Sequence, residues 1–196
     1  MMDVANFVNL LLGIVAVVGA VICLVSIALL HVLPTGYIPI RNAVSDYGVG
    51  RYRRWYHTAL VALAVAAFAM AIASAGSIRP EPVSVVGFLV AFGVVRILIS
   101  LFPTDIEGQS RTRTGRIHMV LAIVAFASVA SAAGFFVGTV IDNVLGWVVV
   151  VMAISSLVGL VWSRLKPIFG LLERLFYFSM IGWFLVIGIE LIRLAF

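Results

Sequence analysis

Residues 51–78 read RYRRWYHTALVALAVAAFAMAIASAGSI. Three arginines, three aromatic rings and a histidine crowd ahead of Thr58–Ile78, a run without a single charge. That run has the length, roughly 20 residues, that a helix needs to cross bilayer hydrocarbon. Cations and amphipathic rings gather at the water-facing end of such a helix. The stretch therefore predicts a spanning helix whose first turn lies among lipid headgroups.

Working outward, Val4–Leu30, Met119–Ile141 and Asn143–Ser163 are also uncharged and long enough to span. Two further segments carry charge, Val83–Phe102 with Arg96 and Leu175–Phe196 with Glu190 and Arg193. Six spans are expected at about 7–33, 55–78, 83–102, 117–140, 144–163 and 175–196 of the 196 residues, leaving no room for a separate soluble domain. The fold class is all-α, a polytopic membrane bundle in one domain over 1–196. A composition 64% hydrophobic and 11% charged agrees, since ordinary soluble domains carry far more charge. Helices satisfy their own backbone groups, as lipid contact demands.

The N-terminal MMDVANF has no base, and the apolar run behind it is too long for a signal-peptide core, so the first helix is expected to be retained. The single cysteine, Cys23, lies mid-span and reads as packing; no intramolecular disulfide can form.

Charge sets an orientation. The connections after spans 1, 3 and 5 hold ten bases (Arg41, Arg51, Arg53, Arg54, Arg111, Arg113, Arg116, Arg164, Lys166, Arg174) against Asp46, Asp105, Glu107 and Glu173. The opposite face holds Arg79 and Arg193 against Asp3, Glu81, Asp142 and Glu190. The basic face is then cytoplasmic in a multi-pass plasma-membrane protein, with both termini outside. The net charge of +5 becomes a topology signal and an attraction for anionic lipids, so membrane lipids are the expected partners and nucleic acid is not. Tyr37, Tyr47, Tyr52, Trp55, Tyr56, Trp162 and Tyr177 are expected to form an aromatic belt on that face.

A repeat is visible. LLHVLPTG (29–36) and LISLFPTD (98–105) both end a helix at Pro-Thr, and each is followed by an arginine-rich loop and a helix opening with a histidine, His57 or His118. WSRLKPIFG with Tyr177 echoes this in the third hairpin, so three hairpins around one axis are expected. Gly87, Gly93, Gly182 and Gly188, with the Ala/Ser-rich 125–134, suit close helix approach, and a second copy or another membrane protein is left open as a partner.

All three histidines fall on the basic side: His31 a turn before Pro34, and His57 and His118 in first turns. One reading makes His57, His118 and His31 metal ligands, with Ser45, Asp46 and Asp105 as catalytic groups; zinc is the metal such a set would take, delivering hydroxide to an ester or amide. The bland reading makes the histidines interfacial and the acids turn caps. Arg96, inside a span, lies close enough to the cytoplasmic edge to snorkel, but pairing with Asp105 or Glu107, near in chain, is the favoured expectation. With Arg54 and Arg116 it would bind an anion.

Ser45-Asp46-Tyr47-Gly48, Leu101-Phe102-Pro103 and His118 together resemble the prokaryotic six-span family of domain of unknown function 998. The resemblance implies six helices and a polar cluster near one membrane face, and brings no activity. The Ser, Asp and His set is also similar to metal-dependent membrane hydrolases related to alkaline ceramidases, which have seven spans and paired histidines late in the last helix that this chain lacks. The leading expectation is a pocket on the cytoplasmic face binding a lipid headgroup or small anion, or a membrane scaffold. The alternative is a zinc-dependent lipid hydrolase, and whether the chain is an enzyme stays open. Transport fits poorly, since no span is broken by an internal Pro-Gly element. Haem ligation by His57 and His118 is a fourth reading.

Overall fold

The computed structural model describes residues 3–76, 82–105 and 110–196. Glu107, Arg79 and Glu81 lie outside these. Six helices run α1 (Val4–Val32), α2 (Arg53–Gly76), α3 (Val83–Leu101), α4 (Arg113–Phe135), α5 (Val140–Val161) and α6 (Phe169–Arg193). All six are long and apolar enough to cross a membrane, and no strand occurs among the described residues. Polar caps set the boundaries of several. Asp3 accepts from the Asn6 N–H at the start of α1, Thr112 from Gly115 at α4, and Thr139 exchanges bonds with Asp142 at α5. The cap at Thr112 opens α4 ahead of the uncharged run. Similarly, α6 starts at Phe169, so Glu173 and Arg174 belong to the helix and are buried in it.

Each helix packs on its neighbours in chain order, α6 closes on α1, and α2 touches α6 across the interior. Three helical hairpins, α1/α2, α3/α4 and α5/α6, therefore form a flattened ring with their arginine-rich turns at one end. Of the six, α2 is the most enclosed and α5 the least. Because lipid tails are as apolar as leucine, the interior gains packing contacts and no hydrophobic effect, and small residues at helix contacts carry it. Gly93 lies against Phe68 and Gly188 against Val17, as close approach requires; Gly87 and Gly182 face no neighbour within 4 Å among the described residues. Aromatic rings fill the middle, Phe126 against Phe176 at 4.2 Å and Phe92 against Phe184 at 6.0 Å.

Tyr47, Tyr56 and Tyr177 correct the expected belt, because all three are buried. Two of the hydroxyls have guanidinium partners inside the bundle, so these rings are internal posts and not headgroup anchors.

Candidate binding site

The loop after α1 carries a short 3-10 turn, Val44–Gly48, and its VSDYG sequence is explained residue by residue. The Val44 N–H donates to Glu173 Oε2 at 2.6 Å, tying the turn to α6. Asp46 caps the turn, accepting from the Ala43 N–H at 2.9 Å and from Asn42 Nδ2 at 3.3 Å. The Tyr47 hydroxyl accepts from Arg174 Nη2 at 3.1 Å. A side chain at Gly48 would strike the Tyr56 ring. Ser45 is left facing a cavity. Tyr37 packs edge-on against Tyr47, and burial, then the charge of Asp46, push its phenol above the ordinary range, which keeps it protonated.

Arg174 ties this corner together. Its Nε donates to His31 Nε2 at 2.7 Å, and its Nη1 to the carbonyls of Asn42 at 2.7 Å and Gly170 at 2.9 Å. Gly170 allows the approach, since an added Cβ would overlap the Asn42 and Pro39 carbonyls. His31 is thereby fully engaged, because its Nδ1 faces the Ile27 carbonyl at 2.7 Å.

Two cavities open beside this corner. The outer, about 340 Å³, lies at the basic end with Arg41, Arg111, Arg116 and Lys166 around it and Asp46 and Asp105 in its wall. The inner, about 150 Å³, is lined by Ser45, Asp46, His118 and Glu173, and by apolar residues of α4 and α5. Ala43, Asp46, Thr104, Met119, Leu160 and Phe169 belong to both walls, so the two form one continuous recess. His118 is held by its Nδ1 facing the Phe102 carbonyl at 2.7 Å; in the neutral ring the proton sits there and Nε2 is an acceptor. Asp105 accepts from the Thr112 N–H at 3.0 Å and the Thr112 hydroxyl at 2.6 Å, which fixes the start of α4 and the vestibule wall. Gly115 is required there, as a Cβ would overlap the Asp105 carboxylate.

The remaining expected site residues lie elsewhere. Arg96 is 1% exposed and does not pair with Asp105; its Nη1 donates to the Tyr177 hydroxyl at 2.7 Å. Its guanidinium rests 4.9 Å from the Tyr177 ring centroid and 5.4 Å from that of Phe92, while Nε and Nη2 have no partner among the described residues. It lines neither cavity. Arg54 is exposed over the Trp55 ring at 5.6 Å, as an interfacial residue should be. His57 is half-buried and edge-on to Tyr56. Thus of the three histidines only His118 reaches the recess. Among the described residues no three side chains of His, Cys, Asp or Glu are placed to hold a metal ion, so His31, His57 and His118 do not form a ligand set.

Glu173, Arg174, Arg41, Arg111 and Lys166 were not singled out by their sequence setting. A signal existed for the first two: Gly170, Arg174, Tyr177 and Ile181 repeat at helical spacing and continue the buried face of α6 upstream.

A family model with the description "Protein of unknown function (DUF998)" matches residues 17–190. No curated protein and no solved structure matches the chain.

Proposed function

The chain belongs to the DUF998 family, whose description states no activity, and from the geometry of the recess we propose that this multi-pass membrane protein binds the anionic headgroup of a lipid at its basic face. One observation carries the reading: Arg41, Arg111, Arg116 and Lys166 ring a cavity that continues between helices into an apolar-walled chamber. Exposed guanidinium and ammonium groups at a membrane surface attract phosphate-bearing lipids, and arginine binds their oxygens in pairs. Both oxygens of the vestibule's Asp105 are committed to Thr112, which limits its competition for these cations. On this reading the protein sits in the plasma membrane with the basic face toward the cytoplasm and both termini outside, an orientation supported by the excess of bases on that face.

The test is binding of purified protein in phosphatidylcholine nanodiscs to nanodiscs' added phosphatidic acid, scored by native mass spectrometry, beside inorganic phosphate as the soluble source of the same chemistry. Wild type should retain the anionic lipid selectively. Arg111→Ala with Arg116→Ala should weaken retention at least tenfold, an effect that salt diminishes. Retention of phosphatidylcholine and phosphatidic acid alike, or indifference to the double substitution, would overturn the reading. Saturation by millimolar phosphate with no preference for the lipid would make the ligand a soluble anion.

A further inference from the structure

The inner chamber has a chemistry different from the vestibule. Its polar atoms include acceptors, and two of them are held in place with capacity to spare. Glu173 is 5% exposed and uses Oε2 to accept from Val44, which leaves Oε1 without a hydrogen bond among the described residues. His118, 4% exposed, has Nδ1 committed to Phe102, and Nε2 is its spare acceptor. Both side chains line the same cavity of about 150 Å³. A ligand filling this chamber takes these acceptors away from water, so one carrying a donor is favoured over one that lacks it.

Most of the rest of the chamber wall is apolar. Met119, Ala122, Ile123 and Phe126 give one face of α4 at helical spacing, and Leu157 and Leu160 of α5 stand opposite. Ile123 of this wall is itself exposed. Farther along, α4 and α5 close on each other, since a Cβ on Gly146 would overlap the Ala133 carbonyl. A lateral entry for an acyl chain would therefore be a slot between α4 and α5 at the basic end. A chain entering through it would bring its backbone past Glu173 and His118 before its headgroup met the vestibule cations.

We propose that the recess selects a phosphate-bearing lipid with a free hydroxyl on its backbone, which donates to Glu173 Oε1 or His118 Nε2 while the phosphate meets the arginines. This rests on the headgroup-binding reading and specifies the ligand. A lipid whose backbone hydroxyls are all esterified fills the slot but leaves both acceptors unpaired.

The discriminating pair is 1-oleoyl-glycerol 3-phosphate and its 2-deoxy analogue, which differ by one hydroxyl, titrated into wild-type protein in phosphatidylcholine nanodiscs, with glycerol 3-phosphate as the soluble arm. The hydroxyl lipid should bind about tenfold tighter than the deoxy lipid, the usual scale of one buried hydrogen bond. Glycerol 3-phosphate should bind much more weakly than either. Glu173→Gln keeps an oxygen for Val44 and turns an amide donor toward the chamber, and His118→Phe removes the other acceptor, so one of the two should abolish the preference while the deoxy lipid still binds. Equal binding of the two lipids, with both weakened by Arg116→Ala, overturns this inference and leaves headgroup binding standing. A preference that survives in Glu173→Gln and in His118→Phe also overturns it. Glycerol 3-phosphate binding as tightly as the lipid removes the lateral slot. Failure of every lipid to bind removes the headgroup reading, and this inference with it.

Discussion

Two of the described arginines, Arg174 and Arg96, lie buried in this membrane bundle, each with a tyrosine hydroxyl as a partner, and they are held in opposite ways. Arg174 donates to His31, Tyr47 and the carbonyls of Asn42 and Gly170, joining the end of α1, the loop, the turn and α6. Arg96 donates once, to Tyr177, and rests on two ring faces with Nε and Nη2 unpartnered. A charge away from water is tolerated when its donors are matched and is costly when they are not. Arg174 is thus a structural clamp whose loss would leave a cluster of acceptors unpaired. Arg96 is a charge the fold holds at a cost, close enough for its field to be felt at His118 and Glu173 of the recess.

The largest effect should come from Arg174→Lys, which keeps the charge and loses the planar fork. One ammonium cannot reach His31, Asn42, Gly170 and Tyr47 together, so about 3–5 kcal/mol should be lost. In detergent the thermal midpoint should fall by roughly 10 °C. A midpoint within a degree or two of wild type would mean that Arg174 is no more structural than Arg96, and the contrast would be broken.

Arg96→Met sharpens the contrast from the other side. The substitution frees Tyr177 of its partner, at about 1 kcal/mol, yet removes a poorly satisfied charge whose apolar replacement is often neutral or stabilising by about 1–4 kcal/mol. Its midpoint should equal or exceed that of wild type. Anionic-lipid affinity should drop several-fold through the lost field. A collapse of the fold would show that the two unpartnered N–H groups are matched in the membrane by something other than the protein.

Asp105→Asn should act in a third way. The amide oxygen can still accept from the Thr112 N–H, so the start of α4 keeps one of its two bonds while the vestibule loses a negative charge. Affinity for phosphate-bearing lipid should rise about two- to fivefold and the gain should shrink in high salt. A fall in affinity would place the ligand against Asp105 itself.

The contrast between the arginines was only partly legible in the sequence. The six helices were, because the bilayer imposes a length and a charge-free interior that Thr58–Ile78 and its counterparts meet without help from tertiary contacts. Arg96 stood out for the same reason. Its partner did not: Tyr177 lies far along the chain, while Asp105, close in sequence, is taken up by Thr112. Glu173 and Arg174 looked like loop charges because they precede the unbroken apolar run, and only the packing of α6 against the turn turns them inward. Asp46 precedes Tyr-Gly, a pattern that suits a turn cap, and that local chemistry is what the turn uses. Local bonds leave a mark in sequence spacing; partners as far apart as Arg96 and Tyr177 or Val44 and Glu173 leave none in a single chain.

The histidines extend the comparison and give its smallest expected effect. His31 has both ring nitrogens occupied, His118 has one committed and one turned to the recess, and His57 only packs edge-on against Tyr56. The proline repeat that aligns His57 with His118 therefore does not make them equivalent. His57→Ala removes a half-buried ring with no hydrogen bond among the described residues, so its stability should stay within about 0.5 kcal/mol of wild type. Lipid affinity should be unchanged, because His57 lines neither cavity. Thermal denaturation and lipid titration of His57→Ala beside His118→Ala read both points in one series. Equal losses of affinity in the two variants would mean that the second hairpin's histidine reaches the ligand after all, and that the repeat describes the site better than the recess does.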